Sequence, residues 1–528
     1  MRRGVILTVG GCLFWALTAY PAAGSDWPQW GGSDGRNMVS DERGLPERFV
    51  AGQKSPDSSG IDLATTENVV WATNLGTMTC ASPAVAGGRI FIGACRRDEG
   101  AMLCLSEKTG AVLWQWNAPP KEAPKTVNGQ TFWFHLWPGA LGVCSSPAVD
   151  GERVYFVSHR CEVVCLDVHG SGAAGNLRAT ATAAKELWSF DMWALGVRPS
   201  DACSSSVLVY GDLVYACTSN GVDRNSLSTM HSELCKPPAP LAPSLIALDK
   251  RTGRLAAVDD EQIGTRLLHG QWSSPSLGRV GDKTLVFFGA GDGVCYAFEA
   301  LAAVPERPIK LKKVWSFDCN PPEYKQFGTL DPISHYCLGD CRRADTLNAK
   351  NDGSFAGMSE IVATPVFYKN RVYVALGRDP EHGRGRGALW CIDATKIGDI
   401  TASGKIWCYR GLDRTLSTVA IADGLLYVGD VAGRLHCLDA ETGRCYWVYE
   451  AKAETWGSPL AADGKIYFPT QKCLWVLAAG KQLKVHDKIT VGAPIWATPV
   501  AANGRLYVAS TRYLWAVQSP GADKSAGK

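Results

Sequence analysis

Short stretches in which apolar and polar residues alternate recur along the whole chain, separated by glycine turns. Arg89-Ile90-Phe91-Ile92 and Arg153-Val154-Tyr155-Phe156 are clear instances. A period of two predicts β-strands that turn one face to a core. The alternation is itself part of a longer repeat. A unit opens on Ser/Thr-Pro-x-Val, as at Ser82-Pro83-Ala84-Val85 and Ser146-Pro147-Ala148-Val149. Later copies begin at Ser274-Pro275, Thr364-Pro365, Ser458-Pro459 and Thr498-Pro499, with degenerate ones at Ser205-Ser206 and Ser417-Thr418, making eight starts. Each unit continues to a strand ending near Leu-Asp, a Thr-Gly turn and a strand that carries Trp. Cys437-Leu438-Asp439-Ala440-Glu441-Thr442-Gly443, ending at Trp447, is the best copy, and Leu105 through Thr109-Gly110 to Trp114 is another. Four strands per unit, repeated eight times, predict an all-β, eight-bladed β-propeller with four-stranded antiparallel blades.

With the strands named A to D from the axis outwards, the last unit ends after its strand C, near Trp515-Ala516-Val517. Asn68-Val69-Val70-Trp71-Ala72 reads as an orphan strand D. Pairing the two predicts a ring closed by an N-terminal strand, which removes an exposed sheet edge. The tryptophans are expected to fill the wedges between blades. The expected organisation is a signal peptide at 1–24, an N-terminal extension at 25–66, the propeller at 67–518 and a disordered tail at 519–528.

Composition changes this picture in two respects. The 54 basic and 51 acidic residues leave a net charge of +3, so nothing calls for a nucleic-acid partner. Arg2 and Arg3 precede the apolar stretch Val5–Tyr20, and Ala22 and Gly24 precede a plausible cut ahead of Ser25. That is the layout of an export signal, too short for a stable membrane span. The expected product is exported, periplasmic or extracellular, and monomeric. Val9-Gly10-Gly11-Cys12 imitates a lipoprotein box only loosely. Of the 19 cysteines, Cys12 would leave with the signal, and in an oxidising compartment some of the others should pair.

The Leu-Asp-Ala-x-Thr-Gly-x-x-x-Trp signature at Leu438 to Trp447 resembles the hallmark of the PQQ-like (pyrroloquinoline-quinone repeat) β-propeller superfamily. That group includes quinoprotein alcohol dehydrogenases and BamB-type outer-membrane assembly lipoproteins. Asp26-Trp27-Pro28-Gln29-Trp30-Gly31-Gly32 resembles the opening of a group of exported members. The resemblance spans about 26–517 and implies the fold. It leaves function open, because this fold hosts enzymes and scaffolds alike.

Strand order assigns loops to faces. Residues 118–142 and 318–360 become D–A links, and 218–243 and 378–388 become B–C loops, all on one face, the top. Residues 168–185 form a C–D loop on the bottom and are expected to be a flexible insertion without chemistry. Six of the nine histidines map to the top: His135, His159, His231, His269, His335 and His382. Asp191, Asp201 and Glu360 are expected there as exposed carboxylates. No pair has metal spacing, and no metal site is expected. Cys319, Cys337 and Cys341 suggest a loop-stapling disulfide, with zinc and free thiols as alternatives. Cys104, Cys165, Cys391 and Cys437 share a strand-C slot that holds Ala247, Ala297, Val476 and Ala516 in other blades, and are expected to be structural.

A second slot lies three residues before the strand-A proline. Around the ring it reads Cys80, Cys144, Cys203, Trp272, Val362, Leu416, Trp456 and Trp496. Such a mouth would either hold a flat aromatic ligand or a soft metal, or simply plug the channel; the plug is the plainer reading. No residue stands out as catalytic. The expected function is a non-catalytic binding or scaffold module that takes a protein, peptide or glycan at its top face. The alternative, implied by the resemblance, is a quinoprotein oxidoreductase with PQQ and calcium on the axis and Trp272, Trp456 or Trp496 as its floor. The vicinal Cys-Cys pair of those dehydrogenases is absent, and no motif places their calcium ligands.

Overall fold

The computed structural model describes residues 25–127, 130–135, 141–170, 182–200, 202–222, 237–325, 358–379 and 387–520, with the backbone alone for 122–127 and 130–135. Eight antiparallel sheets form the blades of a propeller. Blade 1 runs outwards through Ala84–Ala86, Arg89–Arg96, Glu99–Ser106 and Val112–Ala118. Blade 8 consists of Val500–Ala502, Arg505–Ala509 and Tyr513–Val517, with Val69–Asn74 paired antiparallel on its outer side. Two-residue A–B turns such as Asp423-Gly424 and Asp463-Gly464 take positive φ at both positions, the hairpin geometry that matches strand twist.

One row of side chains explains the repeat. Cys104 lies opposite Phe91 of strand B and Trp114 of strand D, and Cys165, Cys391 and Cys437 have the corresponding neighbours Tyr155 and Trp188, Tyr373 and Trp407, Tyr427 and Trp447. A small residue is needed between two large rings. These four thiols are free and buried, and burial pushes each up to about 12. In all eight blades a β-bulge in the C–D pairing follows the slot directly. The extra twist of a bulge aims the strand-D ring out of its own blade. Six indoles then donate to a carbonyl of the next blade: Trp71 to Glu107, Trp114 to Val168, Trp188 to Lys250, Trp315 to Ala394, Trp407 to Ala440 and Trp447 to Gly480, at 2.9–3.2 Å. The Thr-Gly turn serves this seam. Gly110 has φ +69°, and a Cβ there would come within 2.5 Å of the Trp71 ring.

The outer edges are covered in part by the C–D loops. Thr182–Ala183, at the end of the 168–185 insertion, pairs parallel with Trp114–Gln115 of the preceding blade. This end of the insertion, expected to be flexible, is thus tied to the sheet, because an edge strand offers unpaired N–H and C=O groups that a passing segment can satisfy. Residues 171–181 lie outside the described residues. Ile309–Lys310 and Gly398–Asp399 cover blades 3 and 4 in the same way.

The N-terminal extension crosses the axis and closes the channel from below. Trp27 exchanges backbone hydrogen bonds with Val85 of blade 1, and Val149 of blade 2 donates to Pro28. The Arg36 guanidinium bonds the carbonyls of Val207 in blade 3 and Pro275 in blade 4, at 2.7 and 3.0 Å. Leu277 and Phe367 donate to Asp34 and Gly35, and Asn37 bridges to Ile421 of blade 6. Val39–Ser40 lies parallel to Leu460–Ala462 of blade 7, and the Ser40 hydroxyl bonds Ala501 of blade 8. One short segment thus touches the inner strands of every blade.

Candidate functional site

The Ser/Thr that opens each unit lines the axis and joins its neighbours. The amide of Ser82 donates to the Ser146 hydroxyl, Ser146 to Ser206, Ser206 to Ser274, Thr364 to Thr418, Thr418 to Ser458, Ser458 to Thr498, and Thr498 back to Ser82, at 2.9–3.1 Å. The link from Ser274 to Thr364 is missing from this circle. There the Trp30 indole, rising from the N-terminal floor, donates to the Thr364 hydroxyl at 3.1 Å. Ser/Thr at all eight starts was the sequence signal for this ring, and reading those residues only as strand openers missed it.

Above the ring lies a cavity of about 350 Å³, with Trp30 in its wall. Cys80, Cys144, Trp272, Val362, Leu416, Trp456 and Trp496 line it, so seven residues of the mouth slot come together as expected. Cys203 does not join them. Ser206 takes the place of Ser82 in the hydroxyl ring, so the slot of blade 3 holds Ser204, which faces the cavity, and Cys203 is one residue out of register. The Cys203 thiol is turned into the core beside Cys161.

Trp456 and Trp496 stack with ring centroids 5.0 Å apart and planes 16° apart. Their indole nitrogens are buried without an acceptor, so the cavity meets ring carbon rather than N–H. Trp272 packs on His269 at 5.1 Å. The Cys144 thiol contacts Cys80, and that contact together with burial holds it well above the usual thiol range, which leaves it protonated and weakly nucleophilic.

One carboxylate, Asp379, lies on the wall among the described residues. Its Oδ2 is 3.8 Å from Nδ1 of the fully buried His269, and its amide donates to Glu360 at 2.8 Å. Glu360 is fully buried, not exposed as the loop position suggested, because the link carrying it is folded into the blade 5 wall. Asp191 pairs with Lys121 at 2.7 Å and caps the turn Met192–Leu195. His159 is buried against Gly100, and desolvation pushes it down to about 4, so it is neutral at physiological pH. Cys319 is a free thiol at the buried end of a strand. Cys337, Cys341, Asp201, His231, His335 and His382 lie outside the described residues, as does the side chain of His135.

The fit of the implied cofactor can be tested on this wall. Calcium takes six to eight oxygen ligands. Among the described residues no three His, Cys, Asp or Glu side chains form a set that could hold a metal ion. The described cavity wall holds no lysine or arginine to face an anionic quinone. These residues do not fit PQQ with calcium.

Fold and site together define an eight-bladed propeller of the PQQ-like class with a closed floor and an indole-lined mouth. The family described as outer membrane protein assembly factor BamB matches residues 59–303 and 384–496, and the chain belongs to it. No curated protein matches the sequence. Among solved structures, BamB from Moraxella catarrhalis is similar at TM-score 0.51 and 13% identity, over 86% of this chain and 98% of that one. A europium-containing methanol dehydrogenase is similar at TM-score 0.54 and 13% identity, over 92% and 89%. Likeness at that identity concerns the fold alone.

Proposed function

We propose that this protein is an exported, non-catalytic binding module that takes an apolar or aromatic side chain of a peptide or protein partner into the axial cavity. The observation that carries this reading is the cavity itself. It is closed below by the N-terminal segment and walled by Trp272, Trp456 and Trp496. Its volume is at the small end of the range for ligand sites, suited to one ring rather than a folded domain. Aromatic walls give a buried ring both area and stacking geometry. The protonated Cys144 thiol, a weak nucleophile, agrees with binding rather than turnover. No helix among the described residues is long and apolar enough to cross a membrane.

The test is a titration of tryptophan emission with short peptides centred on Phe, Tyr or Trp, run beside PQQ with Ca²⁺ and an artificial electron acceptor. Saturable quenching by aromatic peptides is expected, weakened about tenfold in Trp456→Ala and Trp496→Ala, as loss of one stacked ring implies. Alcohol-dependent reduction of the acceptor would replace this reading with the quinoprotein one.

A further inference from the structure

The backbone nitrogen of Ser25 donates to Oε1 of Glu42 at 2.7 Å. Glu42 is buried, and its other partners are the amides of Asn503, at 3.0 Å, and Gly504, at 2.7 Å, in the A–B turn of blade 8. The Asn503 amide donates to the Ser25 carbonyl. Next along the chain, Asp26 accepts from the Asn503 side chain and from the amide of Gly87 in blade 1. Ser25 and Asp26 are therefore fastened on the seam between the last blade and the first. No lysine, arginine or histidine of the described residues pairs with Glu42. A carboxylate taken out of water without a counter-ion is costly, and three amide donors offset that cost only in part.

We infer that Gly24–Ser25 is the processing site of this chain, and that cleavage supplies the missing counter-ion. Hydrolysis by a leader peptidase adds the hydroxyl of water to the Gly24 carbonyl carbon and its proton to the Ser25 nitrogen. At neutral pH that nitrogen takes up a further proton. The atom that now donates one hydrogen bond to Glu42 becomes an ammonium, with a full charge and two more hydrogens. The mature amino terminus then forms an ion pair with Glu42 at the seam where the ring is closed. The small residues Ala22 and Gly24 before the bond are those a leader peptidase accepts.

The inference rests on the export reading above, and its test separates the two. The full chain is expressed with its leader in an exporting host, and the exported product is examined by intact mass and amino-terminal sequencing. A start at Ser25 is expected. Export with cleavage at another bond overturns this inference and leaves export standing; a retained, uncleaved chain overturns both. The ion pair is read from unfolding rates in guanidinium, since a clasp between chain ends is expected to show on the unfolding limb. Selective acetylation of the mature α-amine should speed unfolding about tenfold, the factor expected when a buried carboxylate gives up one charge-assisted hydrogen bond. Glu42→Gln should speed unfolding of the untreated protein by a similar factor and the acetylated protein by much less. Equal effects on both forms would show that the amine and Glu42 are not partners.

Discussion

Trp315 is fully buried, donates to the carbonyl of Ala394 at 3.2 Å and packs on Phe287, whereas the N–H groups of Trp456 and Trp496 find no acceptor. The two kinds of tryptophan should answer the same substitution differently. Trp315→Phe should cost about 1–3 kcal/mol, because the Ala394 carbonyl is left unpaired. Trp456→Phe should stay within about 0.5 kcal/mol, because the ring remains and an unsatisfied donor is removed. Thermal melts of the two variants decide the matter; equal losses would contradict the assignment of Trp456 to a mouth rather than a seam. Two buried titratable groups act in opposite directions with pH. His159 falls from 6.5 to about 4 on folding, so the unfolded chain binds its proton first, and stability drains away as pH drops from 6.5 towards 4. Asp292 rises from 3.8 to about 6, chiefly through burial, so its contribution is present below 3.8 and lost as pH climbs to 6. Each amounts to roughly 1.4 kcal/mol per pH unit inside its window, and they largely cancel between pH 4 and 6. Relative to the parent, His159→Gln should become more stable on acidification over that range and Asp292→Asn less stable. Parallel melting-temperature profiles for all three proteins would refute the pair.

At the scale of the element, what recurs is a device rather than a sequence. A ring on strand B, a small residue on strand C, a bulge and a ring on strand D together press an indole onto the next blade. Blades 3 and 7 omit it: Ala257 lies opposite Ala247, and Asp487 opposite Val476. Blade 3 carries Ile309–Lys310 along its outer edge, as blades 1 and 4, which keep the device, carry theirs. A buried aspartate after strand B recurs as well. Asp292 accepts from Tyr296 and Arg266, and Asp430 from His436 and Arg434. The two aspartates lie two residues apart in the repeat, Asp430 taking the place of Ala290, while the rings they meet, Tyr296 and His436, share one strand-C position; His436 also contacts the Tyr409 hydroxyl. The strands, their order and the face of each loop were legible in the alternation and the spacing of the eight starts. Less legible was the fate of Cys203, since blade 3 has no proline to mark where its unit starts, and a slip of one residue turns a side chain to the other face.

Over the whole molecule, the N-terminal segment acts as an axle rather than an extension. Arg36 is fully buried, and desolvation pulls it down to about 10. Its guanidinium ties Trp30 and Gln29 of the floor to blades 3 and 4. Arg36→Met should therefore destabilise by about 3–5 kcal/mol, the range for losing one side of a buried polar cluster. It should also open the cavity from below, read as faster quenching of Trp30 emission by acrylamide. A melt unchanged from the parent would mean that the floor is not integral to the fold.

Alternation, turn residues and repeat length are local properties. They sufficed for eight blades, for the buried role of Cys104, Cys165, Cys391 and Cys437, and for the mouth formed by seven residues of one slot, because each depends on a register of a few residues. The closed floor, the circle of hydroxyls with its one gap at Trp30 and the contact of the buried Glu360 and His269 with Asp379 on the cavity wall needed the folded chain. They join positions as far apart as Asn37 and Ile421 or Trp30 and Thr364. No local pattern records which distant carbonyl a side chain will meet once eight blades have closed around it.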